Sequence, residues 1–196
     1  MSIQLVLQPD AAAGSDTYLM DGSSAEVNFG NAVVIAIGTS QSGKFTNRVR
    51  GLVRFDLSAI PLGAAIENAT LTLFAATGGS VAGPAQFRAY RLTQPAWTEF
   101  GATWNKYNGT NSWSAAGGDY TGEGHDSTTV NSGSENLVFA ALATLAADAV
   151  ANRNGFLHLL FIGPEAGANN PPAVFAVKSN APPPASPAAI CANSGY

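Results

Sequence analysis

Apolar and polar residues alternate along many short segments of the chain. Residues 69–74 alternate apolar side chains with threonine, and residues 49–57 alternate them with Arg50, Arg54 and Asp56. Alternation over such lengths is typical of β-strands with one buried face. Further strands are predicted at residues 3–7, 17–20, 32–37, 87–92, 156–162 and 174–177.

One segment has helical spacing instead. Leu137, Ala141, Leu145 and Ala149 recur every four residues and Gly155 follows them, which predicts a helix over residues 137–153. Many short strands and one helix form the layers of a sandwich rather than alternating strand–helix units. We therefore predict an all-β fold, an antiparallel β-sandwich (jelly roll) with one short helix, built as a single domain over residues 1–196.

Two segments differ in composition from the strands. Residues 105–134 are rich in glycine, asparagine, serine and threonine, which predicts a long polar loop packed by its own aromatic residues. Residues 180–190 are proline-rich. They predict an extended C-terminal segment that leads into an edge strand around Cys191.

Composition and charge narrow the partners. Charged residues are only 11% of the chain, against roughly 25% in an ordinary globular domain. The net charge of −4 disfavours binding to nucleic acid. The basic cluster of Lys44, Arg48, Arg50 and Arg54 alternates with apolar residues, so we interpret it as the solvent face of a strand.

Cysteine content and the chain start bear on location. Cys191 is the one cysteine, so neither an intrachain disulfide nor a CxxC zinc site is available. No apolar run reaches the roughly 18 residues of a membrane-spanning helix, so no membrane partner is predicted. The start, MSIQLVLQPD, lacks the features of a secretory signal. We expect synthesis in the cytoplasm.

One glycine-rich segment satisfies most of a phosphate-binding loop. Residues 38–44 read GTSQSGK and follow a predicted strand. The motif needs serine or threonine after the lysine to hold magnesium, and here Phe45 follows it. The next residues alternate as a strand instead of opening a helix. A hairpin loop is predicted.

The residues that could perform chemistry do not converge. His125 lies in the polar loop and His158 lies within an apolar strand, where we expect its ring to be hydrogen-bonded. We predict no catalytic residue, no cofactor and no enzyme activity. A structural calcium ion is left open, because it needs only oxygen ligands. The acidic candidates, which lack diagnostic spacing, are Asp16, Asp21, Glu26, Asp119, Glu123 and Asp126.

The tryptophans admit two interpretations. Trp97 and Trp104 are expected to cover an edge of the core with their N–H groups paired. Exposed aromatic rings can instead stack on sugar rings through an apolar face. Trp113 and Tyr120, in the polar loop, are the candidates for a concave glycan-binding surface.

Several segments resemble, in order and spacing, the DNRLRE (disaggregatase-related) domain. That family is a β-sandwich module of bacterial and archaeal surface proteins and is related to carbohydrate-binding modules. Because the matching residues are mostly packing and turn positions, the resemblance implies a fold more than a function. The segments are Asp16-Thr17-Tyr18-Leu19, Asn28-Phe29-Gly30, residues 51–64, residues 69–73, Trp97-Thr98-Glu99 and Thr103-Trp104-Asn105.

Two functions follow from these expectations. A sandwich made without a signal can leave the cell inside a phage particle, and low charge suits packing against neighbouring chains. We predict a bacteriophage virion structural protein, either a capsid decoration (cement) protein or a tail-associated one. Its partners would be the major capsid protein or another virion protein in an oligomer such as a trimer. The alternative is a carbohydrate-binding module that recognises polysaccharide, including a host glycan.

Overall fold

The strands form two packed sheets, and one α-helix lies in the connection between two of the strands. The structure, a computed structural model, describes residues 2–7, 14–42, 45–76, 84–122, 124–131, 135–165, 173–176 and 189–195. In chain order the elements are β1 (Ser2–Leu7), β2 (Gly14–Met20), β3 (Ile35–Ser42), β4 (Phe45–Asp56), β5 (Ala65–Ala75), β6 (Ala85–Arg91), β7 (Asp126–Val130), β8 (Leu137–Phe139), α1 (Ala143–Asn152), β9 (Phe156–Ile162), β10 (Ala173–Ala176) and β11 (Ala189–Gly195).

The larger sheet is built around β4. One edge of β4 pairs with β2, and the other edge pairs first with β3 and then with β9. β9 continues to β6, and β6 to β7. The smaller sheet contains β1, β11, β5 and β8, and β10 joins the sheets by pairing with β3 and β5. Strand pairs in the described ranges are antiparallel, which confirms the predicted antiparallel β-sandwich with a short helix.

The main core lies between the two sheets. β4 contributes Val53 and Phe55, β9 contributes Phe161, and β5 contributes Leu71 and Leu73, each with at most 1% of its surface exposed. α1 packs against β5 and β9 and buries Leu145, Ala146 and Ala149 in the same cluster. Alternate residues of β4 and β9 therefore point into this core, and the others point to the opposite face of the larger sheet.

The predicted helix over residues 137–153 is too long. Leu137 and Phe139 are buried and Val138 is exposed, so this part has the two-residue period of a strand. Residues 137–139 form β8, which pairs with residues 71–73 of β5. The helix begins at Ala143 and ends at Asn152. The four-residue spacing assigned this part to the helix wrongly, because Leu137 fits both the helical spacing and the two-residue period of a strand.

Other boundaries also differ from the prediction. The polar loop of residues 105–134 contains β7, which pairs with β6. β11 lies between β1 and β5 and is therefore not an edge strand. Residues 177–188, most of the proline-rich segment, lie outside the described residues.

The segment that resembles a phosphate-binding loop belongs to a hairpin. Residues 38–42 of β3 pair with residues 45–49 of β4, so the prediction of a hairpin is confirmed. Gly43 and Lys44 lie outside the described residues. Within the described ranges, no helix is both long enough and apolar enough to cross a membrane.

Candidate functional site

The larger sheet is buried on its second face as well. Residues 93–121, here called the covering segment, fold over that face and supply Trp97, Trp104 and Trp113. The resulting second cluster also draws on β2, β4, β6 and β9. Its buried members are Leu19, Leu52, Tyr90, Leu92, Trp97, Ala102, Trp104, Trp113 and Leu160.

The three tryptophans are part of this packing. Trp97, Trp104 and Trp113 are 2%, 4% and 5% exposed. Trp97 Nε1 donates to Nδ1 of His158 at 2.9 Å, and Trp113 Nε1 donates to the Thr103 carbonyl at 2.9 Å. The predicted burial of Trp97 and Trp104 and the hydrogen-bonded ring of His158 are confirmed. The expected exposure of Trp113 is not found, because residues 103–113 fold its ring inward.

His158 is neutral in this environment. Burial, followed by the charges of Arg54 and Arg153, lowers its pKa to about 4. Nδ1 accepts the Trp97 hydrogen bond, so the neutral ring carries its hydrogen on Nε2. His158 thereby ties β9 to the covering segment.

Arg50 of β4 links the larger sheet to the covering segment. Its guanidinium holds Glu165 through Nε at 2.6 Å and Nη2 at 3.0 Å, and Nη1 donates to the Gly117 carbonyl at 3.0 Å. Its Cζ also lies 4.9 Å from the centre of the Trp104 ring. Burial alone would lower the pKa of Arg50, but the hydrogen bond and charge of Glu165 outweigh it and raise that pKa.

The interpretation of the basic cluster as a solvent face needs correction. Arg50 is 7% exposed, because the covering segment lies over it. Arg48 stays largely exposed and holds Asp21 at 2.6 Å, and its Cζ lies 4.8 Å from the centre of the Trp104 ring. Arg54 lies 5.3 Å from the Phe156 ring and donates to Ser15 Oγ at 2.7 Å.

Tyr120 contacts β6, the strand that also lines a polar cleft. Its ring contacts Tyr90 edge to face, with centroids 4.8 Å apart, and it is partly exposed. The cleft, of about 250 Å³, is lined by Arg88, Gly124, His125, Asp126 and Ser127. Burial and the charge of Arg91 lower the pKa of His125. These groups offer hydrogen bonds to a polar ligand.

A second cavity lies at the end of α1. Its volume is about 220 Å³, and its lining includes Arg91, Pro95, Asn152, Arg153 and His158. Arg91 and Arg153 both hold Asp148, at 3.2 and 2.5 Å. The hydrogen bond from Arg153, with that from Asn152, lowers the pKa of Asp148. One carboxylate thus offsets half of the charge of the two guanidiniums, and the three side chains together stay positively charged.

The candidate calcium ligands are separated and engaged with protein donors. Asp21 accepts from Arg48, Glu26 from Asn105, Asp119 from two backbone N–H groups, and Asp126 from Ser127 and Ala141 N–H groups. Asp16 is buried in β2. Glu123 lies outside the described residues. Within the described ranges, no cluster of three or more acidic, histidine or cysteine side chains could hold a metal.

The turns at one end of the covering segment are fixed by Asn28. Its Nδ2 donates to the carbonyls of Glu99 and Ala102, both at 2.7 Å, and its Oδ1 accepts from the Gly30 N–H at 3.0 Å. The sequence segments around residues 28–30, 97–99 and 103–105 are therefore brought together in space. Phe100 stands in the turn between them, a residue to which the sequence prediction gave no role.

A comparison with protein families decides the affiliation of this fold. The sequence model of carbohydrate-binding module family 96 matches residues 8–117, which is more than half of the chain. The chain belongs to carbohydrate-binding module family 96. The family 96 segment contains β2 to β6, the three tryptophans, Asn28 and Phe100. A comparison with curated proteins gives no match.

The family match bears on the earlier predictions in different ways. It supports the expected relation to carbohydrate-binding modules, and it names a family of binding modules instead of enzymes. The more specific resemblance to the DNRLRE domain stays a prediction. Trp113 lies inside the matched residues 8–117, whereas Tyr120 follows them, and of the residues that line the polar cleft only Arg88 lies inside the match. The glycan role predicted for Trp113 and Tyr120 also stays a prediction.

Proposed function

We propose that this chain is a non-catalytic carbohydrate-binding module that recognises polysaccharide. The observation that carries the proposal is the match of residues 8–117 to carbohydrate-binding module family 96. The packing supports it, because the covering segment and its turns are held rigidly by Arg50, His158 and Asn28. Rigid surfaces bind with a smaller loss of conformational entropy.

The predicted virion role is not carried forward as a second proposal. Neither the contacts of the described residues nor the family match favours a capsid protein partner, a trimer or a location in a virion. These remain predictions from the sequence. A carbohydrate-binding module can be carried on many kinds of particle or protein, so the proposed function does not depend on them.

Affinity electrophoresis of the intact chain tests the proposal. Native gels would contain mixed-linkage β-glucan, xylan, galactomannan or polygalacturonate, with a polysaccharide-free gel and serum albumin as controls. We expect one or more of the polysaccharides to retard the chain and to leave albumin unaffected. Unchanged mobility of the folded chain in all four gels would contradict the proposed function.

A further inference from the structure

One turn of the molecule presents an exposed aromatic side chain. Phe100 is 63% exposed, and it is the one residue in the exposed class among the aromatic residues whose exposure the structure describes. Val27 and Val33, 45% and 62% exposed, lie on the loop that contacts this turn through Asn28. Exposed apolar residues on two segments joined in this way mark a candidate binding surface.

The turn that carries Phe100 is held on both sides. Asn28 binds the carbonyls of Glu99 and Ala102, and the Gly30 backbone lies so close that a Cβ there would be 2.4 Å from the Glu99 oxygen. Within the turn, Ala102 N–H donates to the Thr98 carbonyl at 2.8 Å. Phe100 is therefore presented by a backbone that a ligand does not need to order.

Exposed polar residues lie next to the turn. Gly101 packs against the backbone of Asn108, since a Cβ at Gly101 would lie 2.5 Å from the Asn108 carbonyl carbon. Asn108 Oδ1 accepts from the N–H groups of Thr110 and Asn111, at 3.2 and 2.8 Å. Thr110, Asn111 and the following Ser112 are exposed. Their hydroxyl and amide groups offer hydrogen bonds on the segment that packs against this turn.

This surface fits a sugar ring better than a protein partner. A pyranose ring has a face of C–H groups about the size of one phenyl ring, with hydroxyls around its edge. A stable protein interface needs roughly 800 Å² from each partner, far more than one phenylalanine and two valines supply. Small-ligand sites combine an apolar contact with a few polar groups that fix orientation. Phe100, together with the exposed polar residues 110–112 of the neighbouring segment, has this composition.

We propose that Phe100 is the ring-stacking platform of the polysaccharide site, with hexopyranose units as the ligand. The inference rests on the proposed function and places its binding surface on the turn at residues 98–102. It gives the stacking role to an exposed side chain, because Trp113 is a buried part of the covering segment and packs in the second cluster. The polar cleft lined by Arg88 and residues 124–127 is then a separate surface.

Matched variants test the placement. Affinity electrophoresis would compare the intact chain with Phe100→Ala, Phe100→Trp and Tyr120→Ala in the β-glucan, xylan, galactomannan and polygalacturonate gels. Leu62→Ala is the control, because Leu62 is 78% exposed in a different turn. We expect Phe100→Ala to weaken binding about tenfold, as the loss of one aromatic stacking contact predicts. Phe100→Trp should retain binding, and Leu62→Ala should match the intact chain. The melting temperature should not change for either alanine variant of an exposed side chain.

The outcomes separate this inference from the proposed function. Retarded migration of the intact chain with unchanged affinity in Phe100→Ala would overturn the inference and leave the function standing. Loss of binding in Tyr120→Ala alone would overturn it in the same way and place the site at the surface around Tyr120. A Phe100-dependent dimer in sedimentation experiments would also overturn it. If no polysaccharide binds the intact chain, both the function and the inference fail.

Discussion

The two faces of the larger sheet are both buried, but they are buried by different chemistry. The inner face packs Val53, Phe55 and Phe161 against the smaller sheet and α1. The outer face packs Leu52 and Leu160 under tryptophans, with Arg50 and His158 among them. One strand can serve both faces because successive side chains point in opposite directions.

The difference shows where the fold depends on exact partners. On the inner face any apolar side chain of suitable volume satisfies the environment. On the outer face each buried polar group needs its hydrogen bond, since an unpaired buried group costs more than a net hydrogen bond contributes. The outer face also carries the turns that we propose to bind ligand. Variants of both faces, taken in order of expected effect, can break or sharpen this contrast.

The largest effect is expected from removing an aromatic ring on the inner face. Phe161 is fully buried and contacts Phe139, with ring centroids 5.4 Å apart. Phe161→Ala should lower the free energy of unfolding by about 4 kcal/mol, because it removes apolar contacts and leaves a cavity. Phe161→Leu, which keeps most of the volume, should cost about 1.5 kcal/mol. Urea denaturation measures both. A cost below about 1 kcal/mol for the alanine variant would contradict the packing described for this face.

The next effect is a loss of stability in mild acid. The pKa of His158 is about 4 in the folded chain and about 6.5 when unfolded. Between these two pKa values only the unfolded chain binds the proton. The contribution of His158 to the free energy of unfolding is therefore fully present above about pH 6.5 and is lost as the pH drops toward 4. The loss reaches about 3 kcal/mol. Urea denaturation at a series of pH values measures it.

A control variant isolates this histidine. The pKa of His125 is also lowered, by burial and by Arg91, so it too lowers stability as the pH falls. His158→Gln keeps an acceptor for Trp97 but has no ring to titrate, and its stability should depend much less on pH over this range. An equally steep dependence in His158→Gln would show that another group is responsible. The carboxyl of Asp148, whose pKa is lowered, acts only in stronger acid.

The smallest of the three effects compares two arginines on β4. Arg50→Lys loses the two-point contact with Glu165 and the stacking on Trp104, and we expect a cost of about 2 kcal/mol. Arg48→Lys is the matched control, because Arg48 stacks on the same ring but stays 46% exposed in its side chain. Its cost should be under about 1 kcal/mol. Equal costs in urea denaturation would mean that Arg50 does not tie down the covering segment.

Secondary structure could be predicted from the sequence where the residue pattern fitted a strand and not a helix. Residues 69–74 alternate strictly and lie within β5, and residues 156–162 are β9 as predicted. Residues 137–139 were misassigned to the helix because Leu137 fits both periods, and only pairing with β5 decides between them. The hairpin of β3 and β4 was predictable because Phe45 breaks the phosphate-binding motif and the residues after it alternate as a strand.

The candidate site could be predicted only in part, because its geometry depends on contacts distant in sequence. Asn28 meets Glu99 across 71 positions, and Arg50 meets Glu165 across 115. Residue types could not indicate that Trp113 would be buried and Phe100 exposed. Both results depend on how the covering segment folds over the larger sheet. The general relation to carbohydrate-binding modules was accessible from the order of the packing and turn segments.

The most direct test of the central claim is calorimetric titration of the intact folded chain with the four polysaccharides. We predict saturable binding to one or more of them, lost when the chain is unfolded in urea. A folded chain that gives no saturable heat with mixed-linkage β-glucan, xylan, galactomannan or polygalacturonate, and that is not retarded by them in gels, would contradict a carbohydrate-binding role.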